Sequence, residues 1–238
     1  MSGQGLEPGR GAGGRLVLAG PAEAAIEVKR SRFVAAVAPA ATPAEARAFW
    51  LERRRHLPDA RHHAVAWRVE EEGRPAEHAS DDGEPGGTAG RPALAALRQH
   101  GLERVVLVIS RHFGGILLGA PGLVRAYRRA AEEALAAAPV RLLLPRPAYA
   151  LEAAYPVWDR LVALAERAGA RLEAPVYEEV VRATLLLPPE GGEALLRHLR
   201  ELGPTPPRLQ PLGERWCPAP ASFSPSSSQP AGPPTKSG

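Results

Sequence analysis

Ser80-Asp81-Asp82-Gly83-Glu84-Pro85-Gly86-Gly87-Thr88-Ala89-Gly90-Arg91-Pro92 is a glycine-rich loop that leads into the helical pattern Ala93 to His100. A second such loop, Arg111-His112-Phe113-Gly114-Gly115-Ile116-Leu117-Leu118-Gly119-Ala120-Pro121-Gly122, opens a helix over Leu123 to Ala138. Between them Val105 to Ser110 is an unbroken β-branched and aliphatic run, which reads as a strand buried on both faces. Glycines let backbone N–H groups converge, and a helix start leaves about four of them unpartnered at the positive end of the dipole. Such a place suits an anion. The candidate anion-binding residues are therefore Gly86, Gly87, Gly90 and Arg91 in the first loop, and Arg111, Gly114, Gly115, Gly119 and Gly122 in the second.

Arg125 joins them. On the second helix Leu123, Tyr127, Ala130, Ala134 and Ala138 form an apolar face, which leaves Arg125, Arg128, Arg129, Glu132 and Glu133 outside. Arg128 with Glu132, and Arg129 with Glu133, can pair at four-residue spacing. Arg125 has no such partner and falls in the expected first turn, where a cation meets the positive dipole end. A bound phosphate or carboxylate would make that arrangement favourable; the competing reading is an ion pair with Asp81, Asp82 or Glu84.

The 238 residues allow one large domain or two small ones. No run approaches the ~18 apolar residues of a membrane span, and residues 1–14 lack the apolar segment of a secretory leader. Cys217 is the only cysteine, so no internal disulfide can form and a cytoplasmic location is expected. Lys29 and Lys236 are the only lysines, so arginine supplies almost all of the positive charge. The net charge is +4, and its basic excess lies in residues 15–147, the part that holds the glycine loops. That is a mild tilt rather than the dense basic stripe of a dedicated nucleic-acid binder.

Residues 1–14 read as a flexible extension and 15–144 as a first domain. Ala25 to Pro39 reads as one strand carrying the basic cluster Lys29, Arg30 and Arg32. Thr42-Pro43-Ala44-Glu45 is a capping box with proline at the first helical position, so a helix should run to about His56 and stop before Pro58. His62 to Val69 reads as a strand, and Glu70-Glu71-Glu72-Gly73-Arg74 as a solvated hairpin turn. Pro145-Arg146-Pro147 reads as a linker, where a protease should cut near Arg146. Beyond it, residues 148–213 follow the order strand, helix, strand, strand, helix, strand, the βαββαβ order of a ferredoxin-like domain. Residues 214–238, rich in Pro, Ser and Gly, should be a disordered tail. The fold class is α+β in two domains.

Asp81, Asp82 and Glu84 admit two readings. As turn formers their carboxylates cap backbone N–H groups, with no cofactor. Alternatively they hold Mg²⁺ beside a phosphate, as hard oxygen ligands do. His62 and His63 are adjacent on a strand and point to opposite faces, and with His56, His78 and His112 they match no zinc spacing. No metal site is expected. Ser80 and Ser110 show no His-Asp arrangement at a recognisable spacing.

The two loop motifs, followed by Gly122-Leu123-Val124-Arg125-Ala126-Tyr127, closely resemble the signatures of the IMPACT/YigZ family. The resemblance extends over Lys29-Arg30-Ser31-Arg32-Phe33 and Ala60-Arg61-His62-His63-Ala64-Val65-Ala66-Trp67, and covers about residues 25–213. Ser80, His62, Phe113 and Tyr127 stand within these motifs and complete the candidate set. His112 departs from the aromatic usual there, Leu117 from a common lysine, and Ala120-Pro121 from threonine and glycine; Pro121 also removes one N–H donor. The resemblance implies an N-terminal domain like the second domain of a small-subunit ribosomal protein and the fourth domain of elongation factor EF-G. The C-terminal domain would resemble the fifth domain of that factor. Both likenesses point towards RNA or the ribosome, and by resemblance the eukaryotic members are translational regulators that use an additional N-terminal domain not expected here. Because the N-terminal domain has no cysteine and no nucleophile arrangement, a non-enzymatic RNA- or ribosome-binding protein with a role in regulation of translation is the expected function. The alternative is an enzyme acting on a small phosphorylated or nucleotide substrate with Mg²⁺ at the same loops.

Overall fold

The computed structural model describes residues 14–188 and 190–219. Most of the extension expected at the start and of the tail expected at the end lies outside these residues. The first part of the chain runs β1 (Arg15–Leu18), β2 (Ala22–Val28), β3 (Ser31–Pro39), α1 (Pro43–His56), β4 (His62–Glu71), β5 (Arg74–Ser80), α2 (Gly90–Gln99), β6 (Val105–His112) and α3 (Ala120–Ala137). The second part runs β7 (Val140–Ala153), α4 (Tyr155–Arg167), β8 (Arg171–Tyr177), β9 (Val181–Leu186), α5 (Gly192–Arg200) and β10 (Arg208–Pro218). This is the α+β, two-domain architecture expected.

The first sheet has the order β2-β3-β6-β4-β5, with every pair antiparallel. Its central strands are apolar on both faces because helices cover both. Phe33, Ala35, Val37, Leu107 and Ile109 face α2 and α3, while Val106, Val108, Val65 and Trp67 pack with Ala46, Phe49 and Trp50 of α1. The α1 start follows the capping box. Thr42 Oγ1 accepts from the Glu45 N–H at 3.2 Å, and Glu45 Oε2 reaches back to the Ala41 N–H at 2.7 Å.

Several expectations are corrected here. Ala25 to Pro39 is a hairpin rather than one strand: Lys29 and Arg30, at φ 47° and 63°, make a two-residue turn with Val28 opposite Ser31. That left-handed pair is what a hairpin's twist demands of a two-residue loop. The helix expected from Leu123 begins a turn earlier, at Ala120. Glu72 and Gly73 form the expected hairpin turn, at φ 50° and 75°.

The second sheet runs β10-β7-β9-β8, all antiparallel, with α4 and α5 on one face, as a ferredoxin-like domain requires. The linker expected at Pro145-Arg146-Pro147 is instead the middle of the 14-residue β7. β10 pairs along this stretch, from Arg208 to Pro218, so residues 214–218 belong to a strand rather than to a tail. β1 pairs with the first residues of β7, Arg15–Leu18 against Leu143–Val140, within the expected first domain, and the same strand then continues into the second sheet.

Candidate functional site

The first glycine loop already holds an anion, and it is Asp81. One carboxylate oxygen accepts from the Gly87 N–H at 2.7 Å, and the other from the Ala89 and Gly90 N–H groups at 2.9 and 2.8 Å. Burial alone would raise this carboxyl, but the three N–H donors, with Arg91 nearby, outweigh it and hold Asp81 below the usual carboxylate range. Gly90 packs so closely on Ser80 that a Cβ would lie 2.7 Å from its backbone. Gly86 is exposed. Ser80 Oγ accepts from the Asp82 N–H at 3.3 Å.

The other two carboxylates diverge from Asp81. Asp82 pairs with Arg54 at 2.8 Å and accepts from the His63 N–H at 2.7 Å. Glu84 is buried against Arg111, at 2.8 and 3.1 Å, and accepts from the Tyr127 hydroxyl at 2.9 Å. Burial, with Glu84 beside it, pushes the Tyr127 hydroxyl far above its usual range. Arg111, proposed from sequence as a phosphate contact, is only 6% exposed and its guanidinium faces Glu84, with Ser31 Oγ at 3.4 Å. It lies between two rings, 5.4 Å from the centroids of both Phe33 and Phe113.

The second loop is fastened at one point. Gly114 donates to Ser31 Oγ at 3.2 Å, and a Cβ there would stand 2.1 Å from the Arg30 carbonyl. Past it the chain is open: Gly115, Gly119, Ile116 and Leu117 are exposed, Leu117 at 83%, and Gly122 rests on Leu118. The α3 start has no side-chain cap.

Arg125 does not meet the acidic run. It lines a hollow of about 200 Å³ with Lys29 and Arg129, closed by Leu118, Gly122, Ala126 and Val28. Among the described residues Lys29, Arg30, Arg32, Arg125 and Arg129 form no ion pair, although Arg128 reaches Glu132 at 3.9 Å. The expected Arg129–Glu133 pair is thus not made. Starting the helix at Ala120 places Arg125 in its second turn, so the dipole penalty expected for it is weaker. Lys29 was visible only as part of a basic cluster. Its place beside α3 follows from the hairpin, which sequence reading drew as one strand.

The histidines separate as expected. His62 Nδ1 lies 2.8 Å from the Asp82 carbonyl, whereas His63 Nδ1 lies 2.9 Å from Ser110 Oγ on the other face. Burial, then Arg54 and His112, lowers the His63 pKa, with Asp82 opposing. Sequence spacing did not announce this His63–Ser110 pair, because adjacent strands β4 and β6 bring it together. Ser110 is fully buried, so the pair has no surface for a substrate.

Among the described residues no helix is long and apolar enough to cross a membrane. Residues 29–135 match the Impact N-terminal domain family. An IMPACT family member from Thermus thermophilus, encoded in the pol 5′ region, is 44% identical over 170 residues, which covers 71% of this chain and 91% of the relative. YigZ, an IMPACT family member of Escherichia coli strain K12, is 36% identical over 177 residues, 73% of this chain and 85% of that protein. A crystal structure of a hypothetical protein superposes with a TM-score of 0.61 at 33% identity, over 83% of this chain and 97% of the other. With identity of this order along nearly the full length of its relatives, the chain belongs to the IMPACT family.

Proposed function

We propose that this protein is a non-enzymatic RNA- or ribosome-binding protein with a role in regulation of translation, contacting phosphates through Lys29, Arg125 and Arg129. One observation carries the reading: three cations from two separate elements share a hollow without a carboxylate partner among the described residues. Like charges gathered this way repel unless an anion joins them. Arg30, in the same turn as Lys29, extends the surface. The Mg²⁺ alternative loses ground because Asp81, Asp82 and Glu84 each bond a different protein partner.

Cosedimentation with ribosomes at low and high salt tests the reading. The triple variant Lys29→Ala, Arg125→Ala, Arg129→Ala should leave the pellet at moderate salt while melting within a few degrees of the wild type, as exposed surface changes do. On single-stranded RNA its log K against log salt should flatten by roughly 0.7 for each phosphate that the variant no longer neutralises. Unchanged cosedimentation of a folded triple variant would exclude this surface.

A further inference from the structure

The exposed part of the second loop is apolar, which phosphate contacts alone do not require. Phe113 is 44% exposed, Ile116 38% and Leu117 83%, in a loop whose Gly114 rests on the Lys29–Arg30 turn. Phe113 differs from the others in how it is supported. The Arg111 guanidinium lies 5.4 Å from its ring centroid, inside the range of a cation–π contact. Arg111 is itself held by Glu84 on one side and Phe33 on another, while Phe33 meets Tyr127 edge-on at 5.1 Å and 87°. Tyr127 closes the ring of contacts by donating to Glu84. The residue after Phe113 is pinned to Ser31 and pressed on the Arg30 backbone.

From this geometry we infer that Phe113 is a stacking platform for an unpaired base, so that the RNA bound here is single-stranded. The inference rests on the RNA-binding reading above and names the kind of RNA. One side of the ring is backed by a fixed cation, and the ring remains 44% exposed for a base. Duplex RNA presents mainly phosphates, riboses and a shallow minor groove, and its stacked bases cannot reach an aromatic ring. Single strands supply both partners that this surface suits: phosphates for Lys29, Arg30, Arg125 and Arg129, and a splayed base for Phe113. The buried set Arg111, Glu84, Tyr127 and Phe33 then acts as support, which accounts for an arginine withdrawn from the surface inside a cationic face.

Fluorescence anisotropy with labelled oligouridylate, and with the duplex it forms with oligoadenylate, tests the inference. Phe113→Ala should weaken single-strand binding by about five- to a hundredfold, the usual effect of removing one stacked base, and leave the duplex unchanged. Phe113→Trp should restore the affinity, whereas Phe113→Leu, apolar but without a π face, should not. Circular dichroism checks that each variant is folded. Equal losses on single strand and duplex, or full binding by Phe113→Leu, would overturn the platform while leaving the phosphate reading intact. If Phe113→Ala abolished ribosome cosedimentation but left oligouridylate affinity unchanged, the ring would be docking a protein and the inference would fail. Loss of binding in the Lys29, Arg125, Arg129 variant with wild-type affinity in Phe113→Ala would likewise sink the inference alone.

Discussion

Asp81 uses both carboxylate oxygens, and that makes it less replaceable than a turn-forming aspartate. At an ordinary Asx turn asparagine serves nearly as well. Here an amide would keep one oxygen and place an NH₂ against backbone donors on the other side. Asp81→Asn should therefore cost about 1–2 kcal/mol in chemical denaturation, and Asp81→Ala about 1–3, since buried donors lose their acceptor. The pH dependence has a definite sign. Because the folded pKa lies below the unfolded one, this stabilisation is complete above the unfolded carboxylate pKa of roughly 3.9 and is lost as pH falls through the folded value. Wild type should lose stability across that acidic window more steeply than Asp81→Asn. Parallel curves would mean that the carboxylate charge contributes nothing.

The loop between β6 and α3 shows what a glycine is for at the scale of an element. Gly114 lets the loop lie on the β2–β3 turn, and its missing Cβ would collide with backbone at 2.1 Å, which has no cheap escape. Gly86 has open space around it. Gly114→Ala should therefore destabilise by about 1–3 kcal/mol, as overpacking does, and shift Phe113 away from Arg111. Gly86→Ala should change stability by under about 0.5 kcal/mol. Thermal melts of the two proteins side by side check this; similar melting temperatures would mean the loop does not depend on that close approach. Both glycines sit in recognisable motifs, yet only their surroundings separate a steric requirement from a tolerant turn.

Over the whole molecule, β7 removes the break that proline-rich sequence suggested. Arg146 is 6% exposed in the strand, with Arg215 of β10 opposite it, and β1 pairs with the same strand nearer its start. Proline tolerates a strand where its missing N–H is not needed for a ladder bond. Limited digestion with proteinase K, whose broad specificity does not depend on the Arg146–Pro147 bond, should accordingly spare residues 141–149 after long digestion, in place of the cleavage a linker would allow. Early cleavage there, with the rest intact, would contradict a continuous β7.

Local chemistry alone determined much of this. The capping box placed α1, the continuous apolar run of β6 announced two covered faces, and the strand-helix order of residues 148–213 specified the second sheet, because each signal lies within a few neighbouring residues. In the first glycine loop backbone donors converge as its sequence suggested, but on Asp81, which was not legible, since it is six to nine residues from the donors it bonds and only the folded turn brings them together. Tertiary structure likewise decided that Arg111 turns inward to Glu84, whereas Arg125 stands beside Lys29, 96 positions earlier in the chain. In sequence both are arginines in a glycine-rich motif. Burial beside a carboxylate separates them, and burial is a property of long-range packing.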